Sequence, residues 1–288
     1  MPTYAVTGAT GHLGHRAVEE LLAHGVAASD VVAVVRTPAR AADLAARGVE
    51  VRAGDYSRPE TLPPALEGVQ RLLLVSGNEP GARVAQHCAV IEAAASARVE
   101  RIVYTSILRA DVTTNPLAPE HEGTERALRA AGVPFTVLRN GWYTENYTAR
   151  LGEYLERGEI LGAAGSGRVS GAPRADYAVA AAAALLTDVQ GDAVYELGGP
   201  AFGFVELATT ISEVTGTTVV YRDLPVADYA TALRDAGLDE GTAGFVAALD
   251  ASIAAGDLET DSRDMERLLG RPVRTLADAV RAAHAAHA

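Results

Sequence analysis

Thr7-Gly8-Ala9-Thr10-Gly11-His12-Leu13-Gly14 follows a short apolar run, Tyr4-Ala-Val6, and opens an amphipathic helical pattern. Its glycines fall at Gly8, Gly11 and Gly14, a GxxGxxG spacing. Where a strand turns sharply into a helix, each has a task. Gly8 permits the turn, Gly11 lets backbone approach a pyrophosphate, and Gly14 lets the helix pack closely on the sheet. The amides of the helix N-terminus, from Thr10 through His12 and Leu13, then face the phosphates. Glycine also serves ordinary turns. The strand before and the helix after make this spacing a nucleotide-binding signal.

The same alternation continues outward. His12 to His24 carries Leu13, Ala17 and Leu21 at spacing four, with Val18 and Leu22 beside them, and stops at Gly25. Apolar runs recur at Val31–Val35, Val49–Arg52, Arg71–Val75, Arg101–Thr105 and Phe135–Leu138, separated by helical patterns such as Pro38–Arg47 and Ala82–Ala97. Strands alternating with helices predict βαβ units and a parallel sheet covered on both faces, an α/β doubly wound Rossmann-type fold. After Asn140 the rhythm weakens. Tyr143–Arg157 reads as helix, Gly162–Gly171 as a loop with a short strand, and Asp176 as the cap of a helix reaching Leu186. Strands are expected at 194–197 and 219–222, in an otherwise helical C-terminal part. The expected division is a Rossmann domain over 1–141 with 172–199, and a smaller, mostly helical lobe over 142–171 with 200–288.

The 288 residues suffice for one such domain with an appended lobe. Apolar residues are 48% of the chain, enough to bury a core. The charge of −12 argues against a nucleic-acid partner. All 25 basic residues are arginine, which excludes a Schiff-base lysine, a P-loop lysine and a Tyr-x-x-x-Lys pair. The single cysteine, Cys88, can form neither an internal disulfide nor a Cys-rich zinc site. It reads as a buried small residue in a helix, in a protein of a reducing cytoplasm. The N-terminus has no signal-peptide character, and no apolar run approaches the ~20 residues that span a bilayer. His12 and His15 lack partners for a metal site, and none is expected.

Asp or Glu usually ends the second strand of an NAD site, where it bonds the ribose 2′-hydroxyl. Arg36 stands there, with Arg40 close behind. A guanidinium can grip a 2′-phosphate that a carboxylate would repel, so these residues point to NADPH; solvated surface arginines are the bland alternative. Asp55, after the third strand, is a candidate for the adenine edge. Ser76, Gly77 and Asn78, after the fourth, lie where the cofactor backbone should pass. Leu138, Arg139, Asn140, Gly141, Trp142 and Tyr143, at the end of the sixth, sit where open α/β sheets bind ligands. There Gly141 would admit the nicotinamide. Trp142, the only tryptophan, suits either the pocket or a core between lobes.

TGATGHLG, VVAVVRTPAR, AGDY and LLLVSG together resemble the NmrA-like branch of atypical short-chain dehydrogenases. Tyr104–Asp111, Leu138–Tyr147, Gly162-Ala-Ala-Gly and Arg174–Tyr177 narrow the resemblance. They are similar to bacterial type 2 NAD(P)H:quinone oxidoreductases, of which triphenylmethane-dye reductases are relatives. The resemblance covers nearly the whole chain. It implies a Rossmann domain holding NADPH, a C-terminal lobe shaping the acceptor pocket, and hydride transfer to quinones or similar conjugated electrophiles. Classical relatives use Ser, Tyr and Lys. Ser106 fits the serine position, while His121 and Glu125 stand at the tyrosine and lysine positions. The resemblance thus leaves His121 and Ser106 as catalytic candidates, and Tyr104, Trp142 and Tyr143 as a flat apolar slot. His121 as a proton donor competes with a structural His. Arg174 and Asp176 read as a mutual pair capping a helix.

A non-catalytic NADP(H) sensor signalling to a protein partner is the alternative, supported by the missing Tyr–Lys pair. An isomerase or epimerase ranks below both, because that chemistry normally needs the pair. A small-molecule acceptor and a homodimer, the commonest oligomer, complete the expectations.

Overall fold

The computed structural model describes residues 2–287. In chain order the first half runs β1 (Tyr4–Thr7), α1 (His12–Ala23), β2 (Val31–Val35), α2 (Ala42–Ala46), β3 (Glu50–Ala53), α3 (Leu62–Ala65), β4 (Arg71–Leu74), α4 (Arg83–Ser96), β5 (Arg101–Ile107), α5 (Ala118–Ala130) and β6 (Phe135–Asn140). Then follow β7 (Trp142–Tyr143), α6 (Glu145–Thr148), α7 (Leu151–Arg157), β8 (Glu159–Gly162), β9 (Arg168–Val169), β10 (Gly171–Ala172), α8 (Arg174–Leu186) and β11 (Ala193–Leu197). The chain continues through β12 (Phe202–Gly203), α9 (Phe204–Thr215), β13 (Val220–Asp223), α10 (Val226–Asp235), α11 (Glu240–Ala254), α12 (Asp264–Leu269) and α13 (Leu276–His287).

Seven strands make one parallel sheet in the order β11-β6-β5-β4-β1-β2-β3. β2, Val-Val-Ala-Val-Val, is buried at every position, as a strand covered on both faces must be. On one face α1 presents Ala17, Val18 and Leu21 to the alanines of α8, which let two helices lie close. On the other, Leu62, Leu66, Val90, Ile91 and Leu128 cover the sheet from α3, α4 and α5. The chain runs outward from β1 to β3, then crosses back to β4 on the other side of β1. That reversal opens a crevice beyond the strands' carboxyl ends, between β1 and β4.

The lobe has its own core, with Tyr147, Leu151, Tyr154, Phe202, Phe204, Ile211 and Ile253 among its members. β7 pairs in parallel with β10 and joins the two bodies. Successive side chains on a strand point opposite ways. Trp142 accordingly packs on the lobe core, and Tyr143 on the core of the sheet.

Several elements depart from the sequence reading. Residues 143–157 are not one helix: Trp142 and Tyr143 are drawn into the pairing with β10, and α6 and α7 follow separately. The Pro38–Arg47 helix begins as a 3-10 turn, Pro38–Ala41, before α2. Asp176 does not cap α8. Pro173 occupies that position, while Asp176 is buried in the first turn and accepts from Arg271 and from the Arg274 backbone. Met265 of α12, expected in the lobe, is buried in the sheet-side core beside α8 and β11. Asp264 accepts from the Glu196 N–H at 2.9 Å, so this segment shields the β11 edge strand. Cys88 is half-buried rather than buried. Among the described residues no helix is long and apolar enough to cross a membrane.

Candidate active site

A cleft of about 690 Å³ follows the carboxyl edge of the sheet from β2 to the joint between the bodies. At its centre is the glycine turn. Gly8 takes the left-handed conformation, φ +60°, which a side chain would strain. The Gly11 N–H donates to Gly8 O at 2.8 Å, closing the turn. A Cβ on Gly14 would sit 2.4 Å from Gly8 O, so α1 lies backbone against backbone on the strand end. No side chain caps α1, so the first-turn amides lack partners on the helix itself. Gly8, Thr10, Gly11, His12, Leu13 and Gly14 all line the cleft there.

Towards β2 and β3 the lining includes Arg36, Arg40, Asp55 and Tyr56. Arg36 Nη1 lies 3.4 Å from Glu79 Oε1, an exposed contact. The Tyr56 hydroxyl donates to Val75 O at 2.9 Å and lies against the Thr7 hydroxyl, bracing the ends of β1 and β4.

Ser76, Gly77 and Asn78 line the cleft beyond β4. The Ser76 N–H donates to Thr105 Oγ1 at 2.8 Å. Gly77 is held on both sides: its N–H donates to His87 Nε2 at 2.9 Å, and its carbonyl accepts from Arg83 Nε at 2.8 Å. His87 Nε2 is therefore the acceptor, leaving Nδ1 to donate to Thr124 Oγ1 at 3.0 Å, which in turn donates to Glu120 O. Burial, with the Arg83 charge, pushes His87 down to about 3, so it stays neutral. The sequence reading missed Arg83, Gln86 and His87. Their spacing with Val90 marks a buried helix face, but polar side chains hid that stripe.

At the far end lie Ser106, His121, Asn140, Gly141, Trp142, Tyr143, Asn146 and Arg174. Ser106 Oγ donates to Glu125 Oε1 at 2.7 Å. Glu125, wholly buried, grips the Arg139 guanidinium through two bonds of 3.0 and 2.8 Å. Arg139 also donates to Asp111 at 2.8 Å and Glu196 at 2.9 Å. The position that resembles the catalytic lysine thus holds a neutralised carboxylate.

Three expected site residues lie outside the cleft lining. Arg139 is committed to that ion cluster. Leu138 is buried in the core between sheet and helices. Tyr104, within β5, is buried in the core, its hydroxyl bonded to His121 Nδ1 at 2.8 Å. His121 does border the cleft, yet burial, then Arg83 and His87, push it down to about 3. A neutral imidazole there suits the structural reading of His121 better than that of a proton donor. The reason for Gly141 is corrected. Its Cβ would fall 2.6 Å from Ser170 O and 3.0 Å from Leu197 O, so packing between strands demands glycine there.

Arg174 and Asp176 do not pair, because residues two apart on a helix do not face each other. The Arg174 guanidinium lies 4.6 Å from the Tyr143 ring centroid and donates to Asn146 Oδ1 at 3.1 Å. Its place after β10, next to β7, could be found only once the strand pairing was known. His15 Nε2 lies 2.6 Å from Asp43 Oδ2. Among the described residues no group of three or more His, Cys, Asp or Glu could hold a metal ion.

The cleft fits a dinucleotide. The glycine turn offers backbone and an uncapped helix end, and the buried Asn140 Oδ1 has no hydrogen-bond partner among the described residues. Buried polar atoms without partners are rare in native proteins and call for an explanation such as a ligand.

The model of a family described as NAD(P)H-binding matches residues 8–188. Quinone oxidoreductase 2 of Escherichia coli strain K12 is 46% identical over 96% of this chain and 96% of its own. An NmrA-like family domain-containing oxidoreductase of Aspergillus flavus is 32% identical over 96% and 94%. The solved NADPH complex of the E. coli NADPH-dependent quinone oxidoreductase superposes with a TM-score of 0.93, at 45% identity, covering 96% of this chain and 98% of that one. Citrobacter triphenylmethane reductase complexed with NADP(H) superposes at 0.92, with 37% identity and coverage of 98% and 100%. Both superpose over nearly the whole chain, the α/β body and the helical C-terminal part alike. The chain belongs to the NAD(P)H-binding family, in the NmrA-like group that includes quinone oxidoreductase 2.

Proposed function

We propose that this protein is an NADPH-dependent reductase that delivers hydride to quinones or similar conjugated electrophiles. The observation that supports it best is one continuous cleft. It joins a phosphate-type glycine turn and two arginines at one end to an aromatic wall at the other. When bound, NADPH supplies the hydride donor. The amides of His12 and Leu13 would hold its pyrophosphate, Arg36 and Arg40 its 2′-phosphate, and the loop at Ser76–Asn78 its middle. Asn140 and Gly141 would border the nicotinamide, with Trp142 and Tyr143 facing the acceptor.

Such a reaction asks little acid chemistry of the chain. Hydride addition to a quinone leaves a hydroquinone anion, far less basic than the alkoxide from a simple ketone, and water can protonate it. Neutral His121 and the neutralised Glu125 suit that demand. The chain's work is positioning, which can supply on the order of 7–11 kcal/mol. The same reading makes the protein a cytoplasmic homodimer acting on a small molecule, and light scattering on a sizing column reports the oligomeric state. Purified protein with NADPH and benzoquinone should lose nicotinamide absorbance steadily, and faster than with NADH. Tight NADPH binding without turnover would transfer the protein to the sensor reading, which the missing Tyr–Lys pair favours.

A further inference from the structure

Of the four arginines that line the cleft, Arg36 and Arg40 lie at the β2 end, and Arg83 is paired with Glu120 at 2.7 Å. Arg174 stands alone at the opposite end, beside Trp142, Tyr143 and Asn146. Among the described residues no carboxylate forms an ion pair with it. Glu145 accepts instead from the Arg174 backbone N–H, at 3.0 and 3.1 Å. Asp176 is turned away to Arg271 and Arg274. The guanidinium rests over Tyr143 and is pinned by one bond to Asn146. A guanidinium carries five N–H donors, so most of its donor capacity is open to the cleft. A half-buried guanidinium on an aromatic face, with no ion-pairing carboxylate among the described residues, is set to bind an anionic group in the cleft.

We propose that Arg174 is a further catalytic residue, whose guanidinium stabilises the negative charge that builds on the acceptor oxygen as hydride arrives. This rests on the reductase reading. The quinone takes up one hydrogen together with both electrons of the broken nicotinamide C–H bond, and NADPH is thereby oxidised to NADP+. One quinone oxygen is left negative, and a proton from water completes the hydroquinone. A charged donor binds that oxyanion far more strongly than the neutral carbonyl it came from, so its effect falls on the transition state. It follows that acceptors already carrying an acidic hydroxyl beside the carbonyl bind better than their neutral parents.

The test uses protein loaded with NADP+, which cannot reduce the probe. Two probes are titrated by calorimetry, with quenching of the single Trp142 as a second signal. They are 2-hydroxy-1,4-naphthoquinone, an enolate at neutral pH, and neutral 1,4-naphthoquinone. Arg174→Gln should weaken the enolate roughly 10- to 150-fold, the span of a charged hydrogen bond. The neutral probe should change less than about twofold on the same scale. Arg174→Lys keeps the charge without the fork and should lose roughly 3- to 10-fold on the enolate alone. NADP+ affinity should hold in both variants, which also shows that they are folded. Equal losses for both probes would make Arg174 a structural support for Tyr143, and a fall in NADP+ affinity would make it a cofactor clamp. Either result, or no change at all, overturns the proposal. With benzoquinone and saturating NADPH, Arg174→Gln should lower kcat more than it raises KM. If wild-type protein favours the enolate in this way but does not oxidise NADPH, the reductase reading fails while the anion site stands.

Discussion

The two ends of the cleft are built by different means. The phosphate end is backbone: a few consecutive residues around Gly8, Gly11 and Gly14 make a turn and a helix start, with a single φ of +60° to fix it. The acceptor end is side chains drawn from β5, α5, the end of β6, β7, α6 and the start of α8. What holds it is a buried ion cluster and a pair of neutral histidines. A local backbone device tolerates change around it, whereas an assembly of side chains depends on partners far away in sequence. The two ends should therefore fail differently.

Arg139→Met should show the largest effect. It leaves Glu125 wholly buried, with only the more exposed Arg129 as a remaining cation. Breaking a buried pair from one side typically costs ~3–5 kcal/mol. Urea unfolding should reveal that loss, with NADPH affinity per folded molecule little changed. The double variant Arg139→Met, Glu125→Leu should recover much of it, since paired apolar replacements are often close to neutral. Failure to recover would mean the cluster shapes the site rather than merely neutralising itself.

The histidines give a pH signature. Unfolded imidazoles titrate near 6.5; in the fold His87 and His121 are pushed to about 3. Between those values the unfolded chain binds more protons. The stability these groups carry is therefore complete above about pH 6.5 and is lost as pH falls, by ~1.4 kcal/mol per unit for each. Asp250 acts the other way, because burial raises it to about 6 and the folded form then holds the extra proton. The two histidines outweigh it. Between about pH 6.5 and 5, His87→Gln should lose ~2 kcal/mol less stability than wild type. Parallel pH curves would mean that His87 takes up its proton as readily in the fold as in the unfolded chain, which a ring nitrogen accepting from the Gly77 N–H does not allow.

Arg36→Ala probes the other end. Arg36 is exposed and only loosely tied to Glu79. Its contact to a 2′-phosphate belongs at the weak end of charged hydrogen bonds, so NADPH affinity should fall roughly tenfold. NADH affinity should barely move. Equal losses for the two cofactors in a fluorescence titration would remove the 2′-phosphate assignment.

This contrast also explains what could be read from the sequence. The glycine spacing, the strand–helix alternation and Arg36 are local signals, and each led to the place it occupies in the cleft. Leu138, Arg139 and Tyr104 were assigned by nearness in sequence to a strand end. Asn140 and Gly141, at the carboxyl end of β6, reach the cleft, whereas Leu138 and Tyr104 lie further back in their strands and Arg139 turns to Glu125. Arg174 was paired with the acid two residues on because nothing local revealed the β7–β10 contact that lays it over Tyr143. Met265 was given to the lobe because a short late helix carries no mark of which core it joins.

His121 should matter least of the polar groups at the acceptor end. General acid catalysis contributes ~10²–10⁴-fold where it operates. An imidazole held near 3 is almost wholly neutral at pH 7, and its Nδ1 is occupied by the Tyr104 hydroxyl. That hydroxyl is itself raised above the ordinary tyrosine range by burial, so the pair has no ready proton to give. His121→Ala should therefore lower kcat with benzoquinone by well under ~100-fold, and His121→Gln, which can still bond Tyr104, by less. Saturating NADPH keeps binding losses out of the comparison. Both variants should keep the flat dependence of kcat on pH between about 5.5 and 8 that water protonation implies. A steep loss in both, with cofactor affinity unchanged and a new break in the pH profile, would make His121 the proton donor. The acceptor end would then be an acid–base site as well as a charged, aromatic slot.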